Sequence, residues 1–200
     1  MDFVDRSAIY RYHRERIQMF GKGTSSALGW KSDENQYARF EILSQIGDMN
    51  GLSVLDVGCG HGDLRDFLGK KYPELRYAGI DQMEEFLDIA IARYAHLPDT
   101  AFYLGDCWNA ELPNMDYVLA SGFLAYRNSK TNFIFEMIDK LFGSARLGLG
   151  FNLLRNVNDP NNLLVNYNPQ TILEYCKTLT PKVVLRQDYA EDDFTVFMYQ

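Results

Sequence analysis

The sequence predicts a three-layer α/β/α sandwich, built on a seven-stranded and mostly parallel sheet. Short apolar runs alternate with longer segments of helical period, which is the pattern of βαβ units. The last two strand-like runs are separated by a turn too short for a parallel crossover, so they must pair as an antiparallel hairpin. The length of 200 residues and the apolar fraction of 46% fit one well-buried domain. We therefore expect a single domain over 1–200, with a cap segment at 1–32 and an α/β core at 33–200.

The individual elements follow from the same pattern. The strand-like runs are LSVLDVG (52–58), RYAGID (76–81), TAFYLGD (100–106), MDYVLASG (115–122), ARLGLGFNLL (145–154), PKVVLRQDY (181–189) and DFTVFMYQ (193–200). Helices are expected at 33–47, 62–71, 82–94, 132–142 and 169–178. In the first of these, Phe40, Leu43 and Ile46 recur on one face. The acidic turn AED joins the two runs of the terminal hairpin.

Charge argues against nucleic acid as a partner. The net charge is −7, whereas proteins that bind duplexes usually carry a basic face that neutralises phosphates. The notable basic cluster is Arg11, Arg14 and Arg16, which are interleaved with Glu15 at helical spacing. We interpret this cluster as the solvated face of a helix and expect no duplex nucleic acid as a partner.

Cysteine use and hydropathy indicate the compartment. Cys59, Cys107 and Cys176 are odd in number and scattered, which argues against a disulfide framework. No apolar run approaches the roughly 20 residues that span a bilayer, and the first 20 residues lack the apolar core of a signal peptide. We expect a cytoplasmic protein without a membrane partner, either a monomer or a homodimer. His13 and His96 have no metal-ligand spacing with a cysteine or an acid, so no metal is expected.

The stretch VLDVGCGHGDL (54–64) predicts the ligand site. Gly58, Gly60 and Gly62 follow a buried-looking strand and open a helix, which is where open α/β sheets bind ligands. The third glycine falls one residue early for the dinucleotide pattern GxGxxG. The carboxylate of Asp56 would repel a pyrophosphate and attract an ammonium group, which favours a cofactor that carries an amino acid. Taken alone, the glycines could also form only a tight turn.

Two acids at later strand ends point to an adenosine group. Asp81 ends the second strand and could accept both hydroxyls of a ribose, although it could also cap the helix that follows. Asp106 ends the third strand and could accept a hydrogen bond from an adenine amine, or could be a turn residue. Met83, with Cys107 or Trp108, would flank the ring. Cys59 and Cys107 are interpreted as small apolar residues.

These motifs together resemble the class I S-adenosylmethionine-dependent methyltransferases, which have a Rossmann-like fold. The resemblance is carried by VLDVGCGHGDL, YAGID, FYLGDCW and MDYVLASGFL in that order, and it extends over about residues 36–200. It implies that Asp56 and the glycine loop lie around the methionine part, Asp81 at the ribose and Asp106 at the adenine amine. The implied binding set for S-adenosyl-L-methionine is Gln36, Arg39, Asp56, Gly58, Cys59, Gly60, Asp81, Gln82, Met83, Asp106, Cys107, Trp108 and Ser121.

The acceptor is less determined, because proximity and alignment account for most of such a methyl transfer and a general base is optional. The (Asp/Asn)-Pro-Pro-aromatic sequence of enzymes that methylate nucleobase amines is replaced here by SGFLAY. Recognition must come from the N-terminal segment, the stretch after Gly122 and the loop 155–168, which together suit a small-molecule acceptor. A protein side chain as acceptor, a non-catalytic binder of the cofactor, aminopropyl transfer and an NAD-dependent oxidoreductase remain alternatives.

Candidate acceptor contacts lie beyond the fourth strand and in the cap segment. Tyr126 could orient a hydroxyl or a carboxylate, Arg127 could bind an anion, and His13 could line the site from above. For each of them, packing or a surface position is the competing interpretation, and no catalytic residue is assigned. Tyr10 and Tyr12 are expected to pack.

Three further residues carry expectations about the cofactor pocket. Arg39 could pair with the methionine carboxylate. Trp30 could close the pocket, because the glycines and serines of the segment before it predict a mobile loop. His61 is expected to face solvent rather than the cofactor.

Overall fold

The computed structural model describes residues 2–159, 161 and 163–200, so Met1 of the predicted cap segment and Pro160 and Asn162 of the predicted recognition loop lie outside the described residues. The strands are β1 (Ser53–Val57), β2 (Arg76–Asp81), β3 (Thr100–Leu104), β4 (Met115–Ala120), β5 (Ala145–Leu154), β6 (Val183–Arg186) and β7 (Asp193–Tyr199). The α-helices are α1 (Phe3–Phe20), α2 (Asp33–Leu43), α3 (Asp63–Lys71), α4 (Glu84–Tyr94), α5 (Phe133–Gly143) and α6 (Pro169–Leu179). Short 3-10 helices span Ser44–Ile46 and Phe123–Ala125.

The seven strands form one sheet in the order β3-β2-β1-β4-β5-β7-β6. Strands β1 to β5 are parallel to one another, whereas β7 is antiparallel to both β5 and β6. The predicted fold class and its terminal hairpin are therefore confirmed. The chain moves outward from β1 to β3 and then returns to place β4 on the other side of β1. This reversal opens a crevice beyond the carboxyl ends of β1 and β4.

Helices cover both faces of the sheet, which explains why its central strand β1 is buried throughout. All five residues of β1 are buried, as expected for a parallel strand covered on both sides. On one face, Met137 and Leu141 of α5 pack into a core cluster with Phe151. On the other face, Leu64 and Leu68 of α3 pack into a second cluster. The three-layer arrangement follows from these two cores.

The element boundaries shift where a polar group intervenes. The helix predicted at 82–94 begins at Glu84, because Met83 takes the N-cap position and its N–H donates to the carboxylate of Asp81 at 2.8 Å. The helix predicted at 33–47 ends at Leu43 and continues as the 3-10 helix over Ser44–Ile46.

The cap segment contains α1, whose basic face is less solvated than the sequence suggested. Arg11 is exposed, as expected. Arg14 is also exposed and donates to Glu85 of α4 at 2.7 Å, whereas Arg16 is half-buried and donates to the backbone carbonyl of Ser26 at 2.6 Å. These contacts attach α1 to the core and to its own following loop.

Two further properties of the described residues concern their helices and their cysteines. None of their helices combines the length and the apolar character that crossing a bilayer requires. Cys59, Cys107 and Cys176 are buried and carry no disulfide.

Candidate active site

A cavity of about 220 Å³ lies at the crevice beyond the carboxyl ends of β1, β2 and β4. The core supplies the ends of these strands and the loops that follow them. The cap segment supplies the opposite wall, in which Tyr12 and His13 of α1 and residues 28–31 of the following loop face the same space. A ligand in this cavity would lie between the sheet edge and the cap.

The glycine loop uses its missing side chains for packing rather than for open space. Gly58 and Gly60 have φ of +76° and +53°, a region that favours glycine. A Cβ on Gly58 would lie 2.6 Å from Cβ of Phe123, and one on Gly60 would lie 2.8 Å from Cδ2 of Leu28. A side chain at either position would therefore have to displace Phe123 or Leu28, although the backbone of both glycines still lines the cavity. Both of these side chains also line the cavity.

The backbone N–H groups of this loop are directed into the protein. Those of Gly58 and Cys59 donate to the carbonyl of Ile80 at 2.9 and 3.1 Å. That of Gly60 donates to the carboxylate of Asp81 at 2.8 Å. A pyrophosphate needs such N–H groups for itself, so this loop is poorly suited to a dinucleotide.

Asp56 is a buried carboxyl group that faces the cavity from the end of β1. Its Oδ2 accepts a hydrogen bond from the hydroxyl of Tyr77 at 2.5 Å. Burial raises its pKa to about 7; the hydrogen bond from Tyr77 opposes this shift, and the nearby charges of Asp81 and Asp63 add to it. An ammonium group of a ligand would supply the positive charge that this carboxylate lacks inside the protein.

Asp81 faces the cavity and also fixes the turn before α4, although it is not the N-cap of that helix. Its Oδ1 accepts the N–H of Met83 and its Oδ2 that of Gly60, each at 2.8 Å. Burial raises the pKa of Asp81, although these two N–H groups act in the opposite direction. Each carboxylate oxygen has a second lone pair, which could accept a ribose hydroxyl.

Asp106 likewise combines a turn with a position in the cavity wall. Its Oδ1 accepts the backbone N–H of Trp108 at 3.0 Å, and its Oδ2 accepts from Nδ2 of Asn109 at 2.8 Å. The carboxylate is therefore fixed at the end of β3, where it lines the same cavity as Asp81.

Two buried polar atoms in the wall have no partner within the described part of the chain. These are Oγ of Ser121 and Oε1 of Gln82. A buried polar group without a hydrogen bond is costly, so their presence in a cavity wall indicates a polar ligand. Together with Asp56 and Asp81, they fit a ligand with an ammonium group at one end and a ribose at the other.

Arg39 is held by an acid of the protein itself. Its Nε and Nη2 donate to the two carboxylate oxygens of Asp193, both at 2.6 Å, and its guanidinium lies 4.6 Å from the ring centre of Trp30. Pairing of Arg39 with a cofactor carboxylate would have to share the guanidinium with Asp193. Trp30, which was expected to close the pocket, lines the cavity wall.

Most of the implied binding residues line the cavity, including Gln36, which also donates to Asp63 at 3.2 Å. Trp108 does not, because its ring packs against Phe133 at 5.1 Å between centroids, beneath the ammonium group of Lys130. Arg127 lies outside the wall as well.

His61 differs most from its expected position. It is 1% exposed rather than solvent-facing, its ring packs edge-on against Phe86, and neither ring nitrogen has a partner among the described residues. Burial lowers its pKa to about 4, so the imidazole is neutral. It is not part of the cavity wall.

His13 and Tyr126 meet across the cavity wall. Nε2 of His13 lies 2.7 Å from the hydroxyl oxygen of Tyr126, and Nδ1 lies 3.2 Å from the carbonyl oxygen of Ala27. Both side chains line the cavity, as does Tyr12. Tyr10 lies outside the wall and donates its hydroxyl hydrogen to the carbonyl of Gln82.

Sequence reasoning missed the turn of the terminal hairpin, residues 190–193, which completes the wall beside the cap. The clue was chemical: a buried arginine such as Arg39 needs a buried acid, and AEDD is the acidic run nearest to an apolar strand. Within the described residues, no group of three or more His, Cys, Asp or Glu side chains is placed to hold a metal ion.

The fold and the site together define a Rossmann-like domain whose cavity suits a nucleoside that carries an amino acid rather than a dinucleotide. A family model described as a methyltransferase domain matches residues 54–141. This match and the ordered motifs support a Rossmann-like, S-adenosylmethionine-dependent methyltransferase domain.

Known proteins of this kind are similar over much of the chain. A Mycobacterium tuberculosis protein whose name describes it as a methyltransferase is 28% identical over 155 residues, which are 73% of this chain and 92% of that protein. The trans-aconitate 2-methyltransferase of Azoarcus is 25% identical over 140 residues, which cover 69% of this chain but about half (53%) of that enzyme. The structure of magnesium protoporphyrin IX methyltransferase from Synechocystis with bound S-adenosylmethionine superimposes with a TM-score of 0.72 at 16% identity, and covers 100% of this chain and 98% of that one.

Proposed function

We propose that this protein transfers the methyl group of S-adenosylmethionine to a small-molecule acceptor. The observation that carries the proposal is a single cavity that joins the strand-end carboxylates to the cap wall. When bound, the cofactor supplies an activated methyl group on a positively charged sulfur, and the protein has to bind and align the two reactants.

The residues of the cavity have distinct parts in this proposal. Asp56 and Oγ of Ser121, which has no partner among the described residues, bind the amino-acid end of the cofactor. Asp81 accepts the ribose hydroxyls with its remaining lone pairs, and Asp106 accepts the adenine amine. Trp108 has no part, because its ring lies outside the wall.

A small acceptor is favoured by the shape and the relatives of the chain. The acceptor space lies beneath the cap segment, which encloses it on the side opposite the sheet. Two of the similar proteins are named for small acceptors, trans-aconitate and magnesium protoporphyrin IX. The wall is also rich in carboxyl groups, which disfavours phosphate-bearing nucleic acid. The alternative is a protein side chain, and it would require the cap to move aside.

Ligand-dependent stabilisation tests the cofactor assignment. S-adenosylmethionine and S-adenosylhomocysteine at 100 times their dissociation constants should each stabilise the protein by about 2.7 kcal/mol, a rise in melting temperature of roughly 5–10 °C for a chain of this size. The Asp81→Asn variant should lose most of this rise. Asp66→Asn is the matched control, because Asp66 pairs with Lys70 on the surface outside the cavity wall. A rise with NAD alone would refute the proposal.

A further inference from the structure

We infer that Tyr126 and His13 form a proton-accepting pair for a neutral hydroxyl acceptor, such as a phenol or an enol, that binds in the cap half of the cavity. The inference rests on the proposed function and names its acceptor class. Tyr126 follows the 3-10 helix after β4, and His13 lies on α1, so the pair joins the core to the cap. Both side chains are part of the cavity wall.

The hydrogen bonds determine which atom of His13 can take a proton. The carbonyl oxygen of Ala27 can only accept, so Nδ1, at 3.2 Å from it, carries the hydrogen. In the neutral ring, Nε2 then has the lone pair and accepts the hydroxyl hydrogen of Tyr126 at 2.7 Å. The pair is therefore oriented: Tyr126 donates to His13, and the oxygen of Tyr126 keeps lone pairs for a hydroxyl in the cavity.

The ring of His13 is kept neutral by its surroundings. Burial lowers its pKa to about 4, the charge of Arg16 adds to this shift, and the carbonyl of Ala27 opposes it. Burial also keeps Tyr126 protonated, because it raises the pKa of that hydroxyl. The pair thus rests in one protonation state, in which the lone pair of Nε2 accepts the Tyr126 hydrogen and is shielded from solvent protons.

The proton transfer balances with the methyl transfer. The acceptor oxygen forms a bond to the methyl carbon, and the electron pair of the broken C–S bond stays on the sulfur. The acceptor proton passes to Oη of Tyr126, while the proton of Tyr126 passes to Nε2 of His13. A weak base is sufficient, because the acceptor oxygen becomes strongly acidic as its new bond forms. The positive charge lost at sulfur reappears on the imidazolium, so the number of cations in the cavity is unchanged.

The charges of the wall select a neutral acceptor over an anionic one. Its described residues include six carboxyl groups, of Asp56, Asp81, Asp106, Glu191, Asp192 and Asp193, against the two cations Lys31 and Arg39. Both cations are already paired, Lys31 with Asp192 and Arg39 with Asp193. A carboxylate acceptor would therefore find each of these two cations already engaged by an acid of the protein. The remainder of the acceptor wall includes Ile9, Leu28, Leu164 and Val157, which suit an apolar ring.

Binding to the protein loaded with S-adenosylhomocysteine tests the acceptor class without turnover. The probes are 4-methylphenol, its methyl ether and 4-methylbenzoate, measured by calorimetry. We expect the phenol to bind more tightly than the other two, and Tyr126→Phe to remove its advantage over the ether. Tyr175→Phe is the matched control, because that hydroxyl bonds to Asp139 outside the cavity wall. Tighter binding of the benzoate, or no preference for the phenol in the wild type, would overturn the inference.

Kinetics separate the role of Tyr126 as a catalytic residue from that of His13 as a positioning residue that also receives the proton. Tyr126→Phe should lower kcat for 4-methylphenol by about 10²–10⁴-fold. The glutamine of His13→Gln can still donate to Ala27 and accept from Tyr126, but it is not basic. KM should therefore stay within about twofold of the wild-type value, while kcat should fall by about 10²–10⁴-fold, as in Tyr126→Phe. His96→Gln, at an exposed histidine, should change neither. An unchanged kcat in His13→Gln would refute the proton transfer. Absence of stabilisation by S-adenosylhomocysteine would instead refute the proposed function itself.

Discussion

Replacing Asp193 by asparagine should destabilise the protein far more than replacing its neighbour Asp192. The side chains of Arg39 and Asp193 are 10% and 2% exposed, and two short hydrogen bonds join them. Asparagine keeps the shape but leaves the guanidinium charge buried without a counterion. Breaking a buried ion pair from one side costs about 3–5 kcal/mol.

The pair of Lys31 and Asp192 is the internal control. Its side chains are 62% and 36% exposed, so Asp192→Asn should cost at most about 1 kcal/mol. Urea unfolding followed by circular dichroism measures both variants, and an unchanged slope against denaturant would show that the change is one of stability. The melting temperature of Asp193→Asn should fall by roughly 6–20 °C, at about 2–4 °C per kcal/mol for this size.

A double variant distinguishes the loss of a partner from the loss of a favourable pair. Arg39→Met combined with Asp193→Leu removes both charges and should recover most of the stability that Asp193→Asn loses. If Asp193→Asn costs no more than Asp192→Asn, the argument that Arg39 is buried and neutralised by Asp193 is wrong.

Three further predictions concern the glycine loop and its neighbours. Gly60→Ala should destabilise the protein and weaken its stabilisation by S-adenosylhomocysteine. The new methyl group would strain a backbone with positive φ and displace Leu28. Thermal melts with and without the ligand measure both effects. His61→Leu should retain more stability in acid than the wild type. Between about pH 6.5 and pH 4 the histidine is protonated in the unfolded chain but still neutral in the folded protein, because its folded-state pKa is lowered to about 4. The stability of the wild type therefore falls as the pH drops below about 6.5. Asp56 has the opposite sign, since its raised pKa makes stability fall as pH rises from about 4 to about 7, and Asp56→Asn should remove that slope in urea titrations at each pH.

The sheet was predictable because its strands are short and apolar and its connections are local. Strands β2 and β5 have the predicted bounds of 76–81 and 145–154, and the short AED turn was sufficient to predict the antiparallel hairpin. The strand-end acids Asp81 and Asp106 were predictable for the same reason, since the carboxyl ends of neighbouring parallel strands meet at one edge.

The rest of the site depends on contacts that no local pattern encodes. The pairing of Arg39 with Asp193 joins residues 154 positions apart. His61 was expected in solvent from its place in the glycine loop, but its ring packs edge-on against Phe86 and is 1% exposed. Trp108 was assigned to the adenine from its place after β3, whereas the core beside α5 offers its ring more apolar contact. In each case tertiary packing decides where the side chain lies.

The closing of the cavity wall by residues 190–193 has a consequence for synthesis on the ribosome. Arg39 emerges early in translation, but its counterion is added more than 150 residues later. Until β7 has left the exit tunnel, the nascent chain holds an unneutralised guanidinium and a wall that lacks one side. The wall around the cavity is therefore complete only after the terminal hairpin has joined the sheet.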